Sequence, residues 1–208
     1  MTPNLTLIVP CWKRPIGTKN LLMDVLRQTT NGWEALFIGD GCPDLDNTFN
    51  APEVHIEISR AEARGNSIKK IQLDKNYGGS GYAAINLGIA LAKNEFIIFA
   101  GNDDRISPNH FQNYLHPVLN NDLDLVLFDS IIKGVEKRIS DLEFCKCGHS
   151  EIIVRSSIAK QVEPHGPVYG HDWIFITEIL KKTEKIAKDT RSISTYNVMR
   201  LMNDPEQG

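Results

Sequence analysis

The most constraining feature of this sequence is a continuous apolar run at residues 96–100 (FIIFA), which ends in the polar residues 101–104 (GNDD). An apolar run with no polar face is typical of a strand that is buried on both sides in a parallel sheet. The residues before it predict a helix over 80–93, because their apolar side chains recur at helical spacing. Ser80 is the expected N-cap of this helix. A helix joined by a short link to a buried strand predicts a βαβ unit.

Apolar and amphipathic segments alternate along most of the chain, without internal repeats or linkers. The stretch at 130–154 also turns at Gly134 and Gly148, which predicts antiparallel pieces added to one edge of the sheet. We therefore expect an α/β fold, with a mostly parallel sheet flanked by helices and a small antiparallel addition. Besides 96–100, the predicted strands are 5–9, 35–38, 54–58, 68–73 and 123–128, and the other predicted helices are 16–26, 108–119 and 172–182.

The composition is that of a globular domain: 208 residues, 41% apolar and 24% charged, with a formal net charge of -3. Folding at this length buries about 70% of the surface of the unfolded chain, so a core needs no disulfides or metal. The four cysteines are scattered and follow no secretory leader, which predicts a cytoplasmic protein. No apolar run approaches the roughly 18 residues of a membrane span, so we expect no integral membrane anchor. The mild acidity argues against broad nucleic-acid binding.

Carboxylates stand where the predicted strands end. Asp40 follows the second strand, Asp103 and Asp104 follow the buried run, and Asp172 opens the last helix. Ligands of such sheets bind at the carboxyl ends of the strands. Carboxylates there can hold a divalent cation or accept a proton from a hydroxyl. Two adjacent like charges directly after a buried strand favour a ligand-binding role for Asp103 and Asp104 over a simple turn.

Two other patterns point to rival sites. Residues 79–84 (GSGYAA) match the G-x-G-x-x-A form of a dinucleotide fingerprint. Polar residues 74–77 separate these glycines from the preceding strand, whereas the fingerprint needs its turn directly at the strand end. Cys145, Cys147 and His149 alternate along a predicted strand face, but a structural zinc site needs four ligands and the sequence has no second pair. We expect neither a dinucleotide nor zinc at these residues.

Five segments, in order over about residues 5–180, resemble the motifs of a family 2 glycosyltransferase. Residues 7–15 (LIVPCWKRP) resemble the family's first strand and its Pro-x-Tyr-Asn-Arg-Pro turn. Residues 37–44 (FIGDGCPD) resemble its Asp-Asp-Gly-Ser-x-Asp motif, and residues 76–89 resemble its Asn-x-Gly segment and Ala-x-Asn-x-Gly helix. Residues 102–104 (NDD) take the place of its Asp-x-Asp triplet, and residues 170–173 (GHDW) resemble the Glu-Asp-Trp motif that carries the catalytic base.

The resemblance implies a Rossmann-like GT-A fold in one domain of residues 1–208, in which 183–208 form a short C-terminal extension. It implies an inverting transfer of a sugar from a nucleoside diphosphate sugar, with a UDP-sugar as the first guess, to a hydroxyl acceptor. Asp172 would be the general base, and Mn²⁺ or Mg²⁺ would bind at residues 102–104. The implied donor-binding residues are Pro10, Cys11, Asp40, Asn86 and Asp103, and the implied metal ligands are Asp104 and Asp103.

Three acidic positions of the family's motifs are replaced here: Gly39 and Asn102 each replace an aspartate, and His171 replaces a glutamate. Asn102 removes one charge from the implied metal site. These changes leave open a sugar-nucleotide-binding protein without turnover, and a GT-A-like nucleotidyltransferase is a second alternative. The acceptor could be a glycan, a lipid-linked saccharide, a protein or a modified base. A homo-oligomer or a partner protein could complete its site.

Overall fold

The structure, a computed structural model, describes residues 5–132, 136–164 and 166–196, with only the backbone described over 192–196. Within these ranges one mixed sheet holds nine strands. Their bounds are β1 Leu5–Cys11, β2 Glu34–Gly39, β3 Ser67–Gln72, β4 Phe96–Phe99, β5 Arg105–Ile106, β6 Leu125–Ile132, β7 Glu136–Arg138, β8 Ile152–Arg155 and β9 Ile186–Tyr196. The order across the sheet is β3-β2-β1-β4-β8-β6-β9-β5, and β7 pairs with β6.

The first half of the sheet, β3-β2-β1-β4, is parallel throughout. All of β2 and β4, and nearly all of β1, is buried, as expected for strands covered on both faces. β3 is more exposed because it lies at the edge and carries Lys69 and Lys70. The carboxyl ends of β1, β2 and β4 therefore meet at one edge of the molecule, which is where parallel sheets bind ligands.

The second half of the sheet contains the antiparallel part. β8 runs antiparallel between β4 and β6, with Ile98 opposite Ile153 and Val126 opposite the same residue. β9 runs parallel to β6, and the short β5 closes the far edge antiparallel to β9. Because β8 is reversed, the residues that precede it lie at the carboxyl end of β4. The predicted α/β fold, a mostly parallel sheet with a smaller antiparallel part, is confirmed.

Helices cover both faces of the sheet and create two apolar clusters. The helix bounds are α1 Pro15–Leu26, α2 Leu45–Asn50, α3 Pro52–Ala63, α4 Tyr82–Leu91, α5 His110–Asn121, α6 Ser156–Ala159 and α7 His171–Leu180. One face packs against α1, α2, α3 and α5, and the other against α4, α6 and α7, as the two sets of buried side chains show. Alternate residues of each central strand, such as Leu7 and Ile8, enter opposite clusters because side chains alternate along a strand.

The strand predicted over 54–58 is wrong, because these residues lie within α3. Pro52 occupies the first position of this helix, where its missing N–H leaves no bond unmade. Val54 and Ala61 are buried and Ile58 packs against the same cluster, so the apolar side chains follow a helical period. The five residues 54–58 are too few to show that period.

Three further boundaries differ from the predictions. Ser80 is not an N-cap: it has a left-handed φ of 55° in a single 3-10 turn, and Gly81 precedes the helix at Tyr82. Residues 141–148 are turns rather than a strand. β9 lies inside the predicted C-terminal extension, of which residues 197–208 fall outside the described part of the chain.

Among the described helices, none has both the length and the apolar character needed to cross a membrane.

The close packing of α4 on the sheet depends on Gly88. A Cβ at this position would lie 2.5 Å from Ile8 Cγ2 and 3.1 Å from Ile38 Cδ1, both in buried strands. We predict that Gly88→Ala lowers the free energy of unfolding by about 1–3 kcal/mol, because an overpacked core must shift. Urea denaturation measures this. Gly166→Ala, whose Cβ would meet nothing within 4 Å, is the matched control and should change stability little.

Candidate active site at the carboxyl ends of the parallel strands

A cleft of about 170 Å³ opens where β1 and β4 end. It brings together two of the acidic segments that the sequence singled out, the turn after β4 and the start of α7. It also contains residues 148–151, which precede the reversed strand β8. The polar and backbone groups that line it include Pro10, Ser80, Gly101, Arg138, residues 148–151, His171 and Asp172.

The turn after β4 folds its carboxylates back over Gly101. The Gly101 N–H donates to Asp104 Oδ2 at 2.7 Å, and the Asp104 N–H donates to the Gly101 carbonyl at 3.0 Å. A Cβ on residue 101 would lie 2.8 Å from Asp103 Oδ1 and 3.3 Å from Asp104 Oδ2. Glycine is therefore needed here for space, and both carboxylates, 7% and 1% exposed, lie against Gly101, which lines the cleft.

Asp103 forms an ion pair with Arg14, which ties the turn after β4 to the turn after β1. Arg14 and the preceding Lys13 both have a left-handed backbone, with φ values of 59° and 52°. Such conformations are uncommon for residues other than glycine and mark a locally constrained turn. Pro15 then begins α1. The ion pair therefore places a guanidinium beside a carboxylate of the implied metal motif.

Asn102, which replaces the first aspartate of the motif, joins the same two turns. Its Nδ2 donates to the Lys13 carbonyl at 3.0 Å and to Thr18 Oγ1 at 3.1 Å, and the side chain is buried. A carboxylate has no hydrogen to donate to a carbonyl. The amide is therefore suited to a structural role that an aspartate could not fill.

Asp40 is buried behind a loop rather than on the cleft wall. Its carboxylate accepts the backbone N–H groups of Tyr77 at 2.9 Å and Gly78 at 3.2 Å, and the Asn76 side-chain amide at 3.1 Å. The Asp40 N–H donates to the Cys11 carbonyl at 2.8 Å. Asp40 thus holds the loop at 76–78 against the end of β1.

The other implied donor-binding residues are divided between sites. Pro10 lines the cleft and lies against Gly81, where a Cβ would come within 2.7 Å of its ring. The Cys11 side chain is fully buried in the apolar core, and burial raises the pKa of its thiol well above the usual value. Asn86 lines a second cavity of about 270 Å³ with Lys160 and Phe175 rather than the cleft.

Asp172 lies in the first turn of α7, on the cleft wall. Its Oδ1 accepts the Trp173 N–H at 2.8 Å, and a Cβ on Gly148 would lie 3.1 Å from its Oδ2. The positive end of the helix dipole lies beside this side chain. The neighbouring His171 is buried, and burial lowers the pKa of its imidazole, so the ring is neutral at pH 7.

Residues 148–151 were not predicted as part of the site. Ser150 Oγ donates to Asp104 Oδ2 at 3.0 Å, and the His149 ring packs 4.8 Å from the ring of Phe99. The sequence offered no motif here, and it placed Cys145, Cys147 and His149 along one strand face. Instead Cys145 is exposed with a φ of 64°, while Cys147 is buried, which raises its pKa to about 12.

Two exposed aromatic side chains stand beside this cleft wall. Phe144 and Tyr169 are 54% and 87% exposed, and their rings lie 6.2 Å apart in an edge-to-face arrangement. A Cβ on Gly170, the residue before α7, would lie 2.7 Å from Phe144 Cε2. The pair is therefore held next to the helix that carries Asp172.

The two carboxylates of the turn after β4 could hold a metal ion only together with ligands that the ion brings with it. Over the described residues, no group of three or more His, Cys, Asp or Glu side chains is arranged to hold a metal. Asp103 and Asp104 provide two carboxylates at one edge of the cleft. Mg²⁺ in nucleotide enzymes is commonly held by one or two carboxylates together with phosphates and water. This donor set fits an ion that arrives with a diphosphate.

The family model for glycosyl transferase family 2 matches residues 6–171. The chain belongs to this family. A Bacillus subtilis (strain 168) relative, named as the uncharacterized glycosyltransferase EpsJ, is 28% identical over 126 residues, which cover 61% of this chain and 33% of that protein. The family 2 relationship expected from the motifs is confirmed, and it supports a transferase that moves sugars.

Solved glycosyltransferase structures share the GT-A fold of this family 2 chain. S. aureus TarS has a TM-score of 0.75 at 16% identity, covering 96% of this chain and 39% of TarS. The mannosyltransferase PcManGT from Pyrobaculum calidifontis, in complex with GDP-Man and Mn²⁺, has a TM-score of 0.69 at 12% identity, covering 100% of this chain and 59% of that one. The chain thus spans about a third of EpsJ and less than half of TarS.

The hydrogen bonds of Asn102 make a prediction that the motif alone would not. We expect Asn102→Asp to lower the free energy of unfolding by about 1–3 kcal/mol, because the Lys13 carbonyl would lose its donor and face a buried carboxylate. Thermal or urea denaturation measures this. Asn109→Asp adds the same charge at an exposed position, where its oxygen already accepts from Thr29, and should be nearly neutral. A stabilised Asn102→Asp variant would contradict this role.

Proposed function

We propose that this protein transfers a sugar from a nucleoside diphosphate sugar to a hydroxyl acceptor with inversion at the anomeric carbon. The observation that carries the proposal is that one cleft is lined by Gly101, against which the carboxylates of Asp103 and Asp104 lie, and by Asp172 on α7. The carboxylate pair can face a diphosphate, and Asp172 can face an acceptor hydroxyl. Membership in glycosyl transferase family 2 supports sugar transfer as the reaction class.

The donor proposal rests on the relatives and on the turns around Pro10. TarS has been solved with UDP and with UDP-GlcNAc, and PcManGT with GDP-Man and Mn²⁺. We propose a UDP-sugar as the first choice. Pro10 would lie against the nucleotide, and Asp40 would contribute by holding the loop at 76–78 in place. Asn86 lines the second cavity, so its proposed contact would require a donor that reaches that cavity.

We propose that Asp104 and Asp103 would hold Mn²⁺ or Mg²⁺ together with the diphosphate. Such an ion, when bound, neutralises the negative charge that develops on the departing diphosphate. Arg14 beside Asp103 would add a second positive charge at the same end of the cleft. Asn102 would maintain the turn that presents both carboxylates.

In the proposed reaction Asp172 accepts the proton of the acceptor hydroxyl as its oxygen attacks the anomeric carbon. A bond forms between that oxygen and the anomeric carbon, while the bond to the diphosphate oxygen breaks and its electron pair leaves with the diphosphate. Attack from the face opposite the leaving group inverts the configuration. The Trp173 N–H donates to Asp172, and the positive end of the helix dipole lies beside this side chain.

The acceptor would enter past Phe144 and Tyr169, because these exposed rings stand beside the Asp172 helix. An exposed aromatic ring next to a carboxylate suits the apolar face of a sugar ring. A cytoplasmic location, and completion of the acceptor site by a second copy or a partner protein, remain predictions from the sequence.

Removal of the proposed base is the direct test of the reaction. We predict that Asp172→Asn reduces turnover by about 10²–10⁴-fold, the usual contribution of general-base catalysis, with little change in UDP affinity. Release of UDP from UDP-GlcNAc and of GDP from GDP-Man measures turnover. Glu178→Gln, which removes a carboxylate from the same helix on its solvent side, is the control and should be fully active. Full activity of Asp172→Asn would refute the assignment.

The metal proposal is tested separately by calorimetry. We predict that Mn²⁺ strengthens UDP binding to the wild-type protein, and that Asp104→Asn weakens binding of the Mn²⁺–UDP pair by about 10-fold or more. The amide keeps an oxygen that can accept from Gly101 and Ser150, so the turn should persist. UDP affinity without metal should be similar in both proteins. Equal gains from Mn²⁺ in both would show that Asp104 does not hold the ion.

A further inference from the structure

Glu151 is a further buried carboxylate, and it lines the cleft. It is 1% exposed, and its Oε1 accepts Ser130 Oγ at 2.6 Å and lies 3.3 Å from Arg138 Nη1. Its Oε2 accepts the Gly148 N–H at 2.7 Å. Burial raises the pKa of Glu151, and the charge of Arg138 opposes that rise. Neither the family motifs nor the proposed reaction uses this residue.

Glu151 closes the turn formed by residues 148–151. Its side chain binds the backbone N–H three residues earlier, which is one half of a capping box and fixes the conformation of the turn. Tyr114 Oη donates to the Ser150 carbonyl at 2.5 Å from the other side. A charge-assisted bond of 2.7 Å is strong compared with a neutral one. The turn is therefore held by two side chains that do not enter the proposed chemistry.

The turn at 148–151 contacts both Asp104, a proposed metal ligand, and Asp172, the proposed base. Ser150 Oγ donates to Asp104 Oδ2 at 3.0 Å. Gly148 lies between two carboxylates, because a Cβ there would be 3.1 Å from Asp172 Oδ2 and 3.7 Å from Glu151 Oε2. A displacement of the turn would therefore move Ser150 away from Asp104 and open the space beside Asp172.

We propose that Glu151 is a positioning residue of the transfer reaction: by holding residues 148–151, it sets the separation between Asp104 and Asp172. This inference rests on the proposed function, since it assigns Asp172 as the base. A buried carboxylate and guanidinium pair is weak evidence for stability, because desolvation offsets much of its attraction. The contacts of the turn with both ends of the cleft supply the functional reason for this pair.

Glu151→Gln keeps the side-chain volume and removes one acceptor oxygen. The amide NH₂ must then face either the Gly148 N–H or the Arg138 guanidinium, so the turn loses a bond or gains a repulsion. We predict that kcat for UDP-GlcNAc or GDP-Man hydrolysis falls by about 10–100-fold, the usual effect of an outer-shell positioning residue. KM for the donor should change by less than about 3-fold, because the residues that would bind it remain.

Ser130→Ala is the matched control. It removes a hydrogen bond to the same carboxylate but leaves the Gly148 bond, and it should lower the melting temperature because a buried polar group loses its partner. We predict that its kcat stays within about 2-fold of wild type. If both variants lose kcat in proportion to their loss of melting temperature, Glu151 is only structural and the proposal is overturned.

Gly148→Ala provides a test that leaves the buried charges intact. Residue 148 has extended backbone angles that alanine adopts, so the new methyl group acts only on the space between Asp172 and Glu151. We expect a fall in kcat of about 10-fold or more with an unchanged fold by circular dichroism. An alanine variant with wild-type kcat would overturn the proposal even if Glu151→Gln does not fold.

An NMR measurement separates this inference from the proposed function. The Gly148 amide proton, bonded to a carboxylate, should resonate downfield, and it should move upfield in Glu151→Gln but not in Ser130→Ala. An unmoved resonance shows that Glu151 does not hold the turn. If the resonance moves but Asp172→Asn hydrolyses donor at the wild-type rate, the proposed base has failed and the positioning role with it.

Discussion

The reversed insertion of β8 between β4 and β6 is the constraint on which the site depends. In a fully parallel sheet, the strand beside β4 would be entered from the opposite edge, so the residues that precede it would not lie at the carboxyl end of β4. With β8 antiparallel, Ile153 pairs with Ile98, and residues 148–151 lie directly beside the turn at 101–104. Residues 148–151 then fill the space between Asp104 and Asp172, because Ser150 bonds Asp104 and Gly148 lies against Asp172.

The cleft concentrates buried acidic groups, and each has specific compensation. Asp103 has Arg14, Asp104 has the Gly101 N–H and Ser150, and Glu151 has Arg138, Ser130 and the Gly148 N–H. Buried carboxylates without such partners would become protonated. The partners come from turns and from Ser130 on β6 and Arg138 on β7, so the antiparallel part of the sheet contributes to the electrostatics of the site.

Local sequence signals predicted the parallel half of the fold and the acidic positions. The buried strand at 96–100, the helix before it and the aspartates at its end each produce a pattern within a short window, and the family motifs placed Asp172 in the same cleft. The α3 helix was missed because its apolar residues are spaced over three turns. Glu151 and Ser150 were missed because their roles follow from strand pairing across long sequence separations. Neither the composition of a short segment nor the spacing of its apolar residues indicates that pairing.

The central claim is that the cleft between Asp104 and Asp172 binds the donor. A crystal structure of the protein grown with Mn²⁺ and UDP tests it most directly. We predict that the diphosphate lies over the turn at 101–104, with the nucleoside near Pro10 and open space toward Asp172. A nucleotide bound instead in the cavity lined by Asn86, Lys160 and Phe175 would contradict the account.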